Sequence, residues 1–253
     1  YTLYDDDCDL KEFVKTNTKL AAITLASNLT GQIVFSSALA EKLKALGLTV
    51  FVDASQGAGK KLLDMQRDCI DVLAFTGHKD LLGLPGVGGL CSVNNLRITP
   101  LIQGGTGIYG DSYVNPEAFP ESYEAGTLNM PAIWALKNAV EYINEHISEM
   151  NKTESGLTQY LVKSMTALPN VIVYNADKPR VSTLAFNVKG KSSSDVVALL
   201  DKNGICVRGG IHCAILAHET LGTVKSGAVR VSMNSYNTKD EIDAFIKVIG
   251  GIN

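Results

Sequence analysis

Two short apolar runs end in side chains that can do chemistry. Thr49-Val-Phe-Val-Asp53 leads into Ala-Ser-Gln56, and Val72-Leu-Ala-Phe-Thr76 leads into Gly77-His78-Lys79. Runs rich in β-branched and aromatic residues that stop abruptly in polar groups read as buried parallel strands. In open α/β sheets, ligands sit beyond the carboxyl ends of the strands. Asp53, Gln56, Thr76, His78 and Lys79 are therefore expected around one crevice. A carboxylate, an amide, a hydroxyl, an imidazole and an amine together suit a phosphorylated aromatic aldehyde, pyridoxal phosphate. A carboxylate beside a pyridine nitrogen keeps it protonated and makes the ring an electron sink. An amine must be neutral to attack an aldehyde, and burial or nearby positive charge lowers a lysine pKa. Plainer readings exist for each residue alone: Asp53 as a cap, Lys79 as a solvated lysine.

Two later stretches add reactive groups. Arg208-Gly-Gly-Ile-His-Cys-Ala214 places Cys213 at the tip of a glycine-flanked loop. A thiolate is the nucleophilic form, and a cation such as His212 or Arg208 would help to lower its pKa. An inert buried thiol is the plain alternative. A zinc site on His212, Cys213 and His218 fits no standard ligand spacing and lacks a ligand. In Ala228-Val-Arg-Val-Ser-Met233 the alternation sets Arg230 opposite Val229, Val231 and Met233. Such a guanidinium seeks a bidentate carboxylate, from a ligand or from a structural salt bridge.

The elements that must position these groups follow from periodicity. A strand over 20–26 ends in Ser27-Asn28-Leu29-Thr30-Gly31, a turn-forming set that leaves Asn28 on the same side as Asp53. With a helix over 33–46, stopped by Gly47, and the strand over 49–53, this is a βαβ unit, so the sheet is mostly parallel. Gly105-x-Gly107-x-x-Gly110 matches a dinucleotide fingerprint formally. No amphipathic helix follows it, and Tyr113, Asn115, Pro116 and Pro120 mark a loop. Asn129 and Pro131 open a helix to about residue 147, and a second is expected over 153–168, with a domain boundary near Met150. The remainder alternates: strands over 171–174, 183–188, 205–208 and 228–233, a helix over 193–203, and a last helix opened by the capping box Thr238-x-x-Glu241.

Taken together, Asp53-x-x-Gln56 and Thr76-Gly-His-Lys79 resemble the cofactor motif of class V aminotransferases, within fold-type I pyridoxal-phosphate enzymes. The chain most resembles the cysteine desulfurase and selenocysteine lyase group, from about Ala21 onward. That resemblance implies Lys79 as the Schiff-base lysine, Asp53 at the ring nitrogen, Gln56 at the phenolic oxygen, and Thr76 and His78 at the phosphate. Glu124-x-Gly126-Thr127-x-Asn129 is similar to the group's motif whose threonine reaches the phosphate in the other subunit, which implies a homodimer. Asn28 and Arg230 would hold the carboxylate of L-cysteine or L-selenocysteine. Cys213 would attack the substrate sulfur, become a persulfide and release alanine, with a sulfur-acceptor protein as a further partner. Ile215 stands where the group often has proline.

The implied architecture is α/β: a mostly parallel large domain over 1–150, incomplete at its N-terminus, and a smaller α+β domain over 151–253. The first residue is Tyr1, and a core-like strand follows by Leu20, so the chain is expected to be the C-terminal part of a larger enzyme. Two other readings stay open: another class V enzyme, or a silent piece that only folds or dimerises. Composition bounds the rest. Of the 253 residues, 45% are hydrophobic and 19% charged, and the net charge is −3 without a basic cluster, which argues against nucleic acid and anionic membranes. No run approaches the ~20 apolar residues of a membrane span. Five irregularly spaced cysteines, Cys8 among them, and no signal-peptide pattern point to a reducing cytoplasm.

Overall fold

The computed structural model describes residues 9–93, 96–108 and 110–252; Cys8 lies outside them. Two four-stranded sheets, each with its own core, share one long helix. In the first, β1 (Leu20–Thr24), β2 (Thr49–Asp53) and β3 (Val72–Thr76) are parallel, and β4 (Gly88–Ser92) returns antiparallel beside β3. The register sets Asp53 opposite both Thr24 and Ala74, so β1 and β2 end level and β3 runs two residues further, to Thr76. Val50 and Val52 are fully buried and pack with Leu39, Ala40 and Leu43 of helix α1 (Ser37–Ala45). Among the described residues, β1 has a strand partner on one side only.

The second sheet has the order β5 (Val171–Val173), β6 (Thr183–Val188), β8 (Ala228–Ser232), β7 (Arg208–Gly210), all antiparallel. Helices α3 (Ser193–Lys202) and α5 (Lys239–Gly250) contribute Val196, Leu200, Ile242, Phe245 and Ile249 to its core. The expected Thr238–Glu241 capping box closes in both directions.

Three local expectations change. The helix expected from residue 33 starts at Ser37, because the Ser36 hydroxyl accepts the Leu39 amide and caps it there. Ile33 and Val34 bond instead to the carbonyls of Pro179 and Leu25. The two helices expected around Met150 are one: α2 runs unbroken over Met130–Thr166, about 55 Å at 1.5 Å per residue. Nothing between residues 147 and 153 breaks it, since no proline or cap interrupts the sequence. Its Leu161 and Met165 enter the second core, which holds its far end. The strand expected over 205–208 is shifted to Arg208–Gly210, and an unexpected short helix, α4 (Ile215–Leu221), begins two residues after Cys213.

Candidate active site

The carboxyl ends of β1 to β3 open into a cavity of about 1090 Å³. Asn28, Asp53, Gln56, Lys79 and Cys213 all line it, although they come from four separate segments and both sheets. Ser55, Asn175 and Thr220 also line it; the sequence reading did not single them out. The cavity continues along the open side of β1 past Phe13 and Leu20, which are exposed.

Asp53 closes β2, where its Oδ1 accepts the Ser55 amide at 2.9 Å and fixes the carboxylate at the rim. Lys79 follows β3 on a tight turn. The Gly77 amide donates to the Val87 carbonyl at 2.8 Å, and the Gly83 amide donates back to the Gly77 carbonyl at 2.8 Å. A Cβ at Gly77 would sit 3.0 Å from the Val87 oxygen and 3.2 Å from Leu136, so the turn tolerates little else there. Lys79 is exposed and makes no ion pair among the described residues. Thr76 Oγ1 and His78 Nδ1 are 2.9 Å apart on the same turn, in hydrogen-bond contact and outside the cavity lining. Thr127 is exposed in the segment before α2, also away from the lining.

The Cys213 loop is held by its neighbour. His212 and Cys213 both have φ of +55°, the left-handed region, which costs non-glycine residues of order 1–3 kcal/mol each. Two long-range hydrogen bonds oppose that cost. His212 Nε2 bonds the Ala228 carbonyl at 2.9 Å, and the Asn28 side-chain amide donates to the His212 carbonyl at 2.7 Å. The His212 ring is buried, 5% exposed, and stacks on the fully buried His218 at 6.2 Å. Desolvation, then the charges of Arg230 and Arg208, hold the His212 pKa below the ordinary imidazole value. That direction disfavours the charged form of His212, whose ring anchors the loop; Arg208, exposed on β7, is the other cation expected beside Cys213. His218, lowered by burial, bonds Thr223 Oγ1 at 2.7 Å. Among the described residues no group of three or more His, Cys, Asp or Glu could hold a metal ion.

Arg230 Nη1 donates to the Asn28 backbone carbonyl at 2.8 Å. Its other guanidinium donors have no carboxylate among the described residues, so a structural salt bridge is not its role there. Arg208 lies opposite it in the β7–β8 register. Burial, then the Arg208 charge, lower the Arg230 pKa, the setting of a cation short of an anion.

Arg230 itself is not among the residues lining the cavity and reaches it only through Asn28. A two-part α/β fold with a lysine turn at one cleft and a half-buried arginine behind Asn28 defines a class, and sequence comparison gives it a family. The chain matches the aminotransferase class-V family over residues 4–245 and belongs to it. It is 33% identical over 241 residues to a probable cysteine desulfurase of Methanothermobacter thermautotrophicus, covering 92% of this chain and 60% of that protein. It is 30% identical to a cysteine desulfurase of Wigglesworthia glossinidia brevipalpis, with 96% and 60% covered. Apo cysteine desulfurase from Thermococcus onnurineus superposes with a TM-score of 0.82 at 33% identity, covering 92% of this chain and 59% of that one. The Escherichia coli cysteine desulfurase CsdA in its S-sulfonic acid form gives 0.85 at 29% identity, with 95% and 60% covered. The chain spans about 60% of the length of these relatives. The α/β fold expected from sequence is the fold of these structures. Among the described residues no helix is long and apolar enough to cross a membrane.

Proposed function

We propose that this chain carries the lysine, nucleophile and substrate-binding parts of a pyridoxal-phosphate-dependent cysteine desulfurase. The observation that carries the reading is the cavity onto which Lys79, Asp53, Gln56, Asn28 and Cys213 all open. Pyridoxal phosphate fits that set. Lys79 supplies an amine with no ion-pair partner among the described residues, Asp53 supplies a fixed carboxylate, and the volume exceeds what a small cofactor and an amino acid need. When bound, the cofactor supplies an electron sink for the carbanion formed at the amino acid's α-carbon.

This chain's own residues do the rest. Lys79 would hold the cofactor by its amine and serve as the base for the substrate's α-proton. Asp53 would keep the pyridine nitrogen protonated, and Gln56 would donate to the phenolic oxygen. Thr76 and His78, on the turn of Lys79 but outside the cavity lining, would hold the phosphate. Arg230 has guanidinium donors to spare after its bond to Asn28, and takes the carboxylate of L-cysteine or L-selenocysteine. The Asn28 amide has one N–H left after its bond to His212 and completes that contact. Cys213 attacks the substrate sulfur, keeps it as a persulfide for transfer to an acceptor protein, and alanine departs. A free thiol is required for this, which suits a reducing cytoplasm.

On a division into domains over 1–150 and 151–253, with α2 spanning the boundary, Lys79 would belong to one and Cys213 with Arg230 to the other. Thr127 is proposed to meet the cofactor of a second copy in a homodimer. Leu101, Ile102, Val114, Phe119 and Trp134, exposed in the stretch of sequence around it, are apolar surface such a dimer would cover.

Borohydride reduction after incubation with pyridoxal phosphate, followed by peptide mass spectrometry, tests the assignment. The cofactor should be fixed on Lys79 alone, and L-cysteine should give alanine with a persulfide on Cys213. Alanine production undiminished in Cys213→Ala would point to a different class V reaction. No adduct on Lys79 would remove the proposal.

A further inference from the structure

The turn after β2 ends on a lysine that no motif singled out. The Lys60 side chain is 8% exposed. Its ammonium lies 3.1 Å from Asp80 Oδ1 and 3.3 Å from Glu154 Oε2, and donates to the Met233 carbonyl at 3.0 Å and to Ser182 Oγ. The Ser182 hydroxyl in turn donates to Glu154 Oε2 at 2.7 Å. One ammonium is thus enclosed by two carboxylates, a carbonyl and a hydroxyl.

The four partners come from four places. Asp80 immediately follows Lys79, and Glu154 belongs to α2. Ser182 precedes β6, and Met233 follows β8, the strand of Arg230. The backbones touch as well. Gly59 has φ of +89°, and a Cβ there would lie 2.3 Å from the Asp80 carbonyl oxygen. The loop before Lys60 and the turn of Lys79 are therefore in direct main-chain contact.

A desolvated ammonium persists only when paired, and removing one partner strands the others without compensation. A cluster of this kind adds little net stability against an apolar substitute but fixes one arrangement of the elements that feed it. Here it sets the turn of Lys79 against the end of the strand that carries Arg230.

We propose that Lys60 is a positioning residue that locks the Lys79 turn to the C-terminal sheet, the part of the molecule bearing Arg230 and Cys213. Its functional meaning rests on the reading of those three residues above. The lock itself belongs to this chain's own side chains and can be measured without cofactor or substrate.

Amide hydrogen exchange on Lys60→Met, Lys60→Arg and Asp80→Asn tests it. Leu82 and Gly83 close the turn through bonds to the Lys79 and Gly77 carbonyls, and the Met233 amide bonds the Ser182 carbonyl. Lys60→Met should speed exchange at all three by at least about tenfold, with α5 amides unchanged within about twofold. Lys60→Arg keeps the charge and should stay within about threefold of the parent. Asp80→Asn should loosen Leu82 and Gly83 and leave Met233 protected. Unchanged exchange at the three amides in Lys60→Met, an equal rise across the whole chain, or no recovery in Lys60→Arg overturns the proposal. If Lys60→Met does not fold, unchanged exchange at Leu82 and Gly83 in Asp80→Asn does the same. In protein loaded with pyridoxal phosphate, Lys60→Met should still be reduced onto Lys79, with the KM for cysteine raised at least fivefold. A parent that binds cofactor but does not turn over cysteine removes the functional reading and leaves the exchange result to decide the lock.

Discussion

The side-chain amide of Asn28 donates to the backbone carbonyl of His212 at 2.7 Å, across 184 positions of sequence. The same residue's own carbonyl accepts from Arg230. His212 completes a ring of contacts by bonding Ala228, two residues before Arg230 on β8. The residue proposed to hold a substrate carboxylate and the loop proposed to carry the nucleophile thus share one support.

Replacing Asn28 with Ala leaves the His212 carbonyl without its donor in a partly buried place. The expected loss is about 1–3 kcal/mol of unfolding free energy, measured by urea titration. Cys213 should also be alkylated faster by iodoacetamide, because its left-handed backbone loses one of two restraints. Asn28→Asp should cost more than Ala, since a carboxylate oxygen would then face the carbonyl oxygen. Equal alkylation rates in parent and Ala variant would show that His212 alone holds the loop.

The buried histidines give a second expectation, with a definite sign. His212 and His218 both have folded pKa values below the ordinary 6.5, chiefly through desolvation. Above pH 6.5 they are neutral in both states, and their contribution to stability is fully present. As pH falls below 6.5 the unfolded chain binds protons that the native state refuses, so stability drops until the depressed folded values are reached. The slope approaches about 1.4 kcal/mol per pH unit for each histidine. Asp68 acts in a lower, separate window. Its hydrogen bond from Arg67 holds its carboxyl far below the usual 3.8. The stability it contributes is present above pH 3.8 and is lost as pH falls further. Urea midpoints between pH 8 and 3 should show two descents, and His218→Gln should flatten part of the first only.

Much of this arrangement was legible in residue order because its parts are local. The strand over Thr183–Val188 and the capping box at Thr238 sit where side-chain alternation and a three-residue spacing put them. That Asp53 ends one strand and Lys79 follows the next was readable from the apolar runs, which pair in parallel as β2 and β3. What stayed hidden depends on distant partners. Lys60 looks like any loop lysine until Asp80, Glu154, Ser182 and Met233 are brought around it. The anchoring of His212 by Ala228 and its stacking on His218 could not be read from its place beside a thiol. Helix α2 ran past the expected break because packing of Leu161 and Met165 outweighs a polar middle.

A third expectation concerns Asp53. Asp53→Asn keeps the shape and the bond to the Ser55 amide but cannot hold a proton on a pyridine nitrogen. Borohydride should still fix pyridoxal phosphate on Lys79. Alanine formation from L-cysteine should fall on the order of 100-fold or more, the scale seen when one electrostatic contact to a developing charge is removed. A steady-state assay at saturating cysteine checks this. Near-parental turnover would place the acid elsewhere.

The last expectation separates the two cores. Phe186 is fully buried and meets Phe245 edge-on, ring centroids 5.7 Å apart, between β6 and α5. Phe186→Ala removes that pair and leaves a cavity, for an expected cost of about 3–5 kcal/mol. A domain holds only ~5–15 kcal/mol in total, so the C-terminal sheet should be close to unfolding. The Leu25–Val52 core shares no buried residue with the Phe186 core. Exchange protection should therefore fall in α5 and in the last turns of α2, where Leu161 and Met165 lean on the damaged core, and persist at Val50 and Val52. If α5, the end of α2 and β2 lose protection together, helix α2 and the Lys60 cluster couple the two sheets into one cooperative unit.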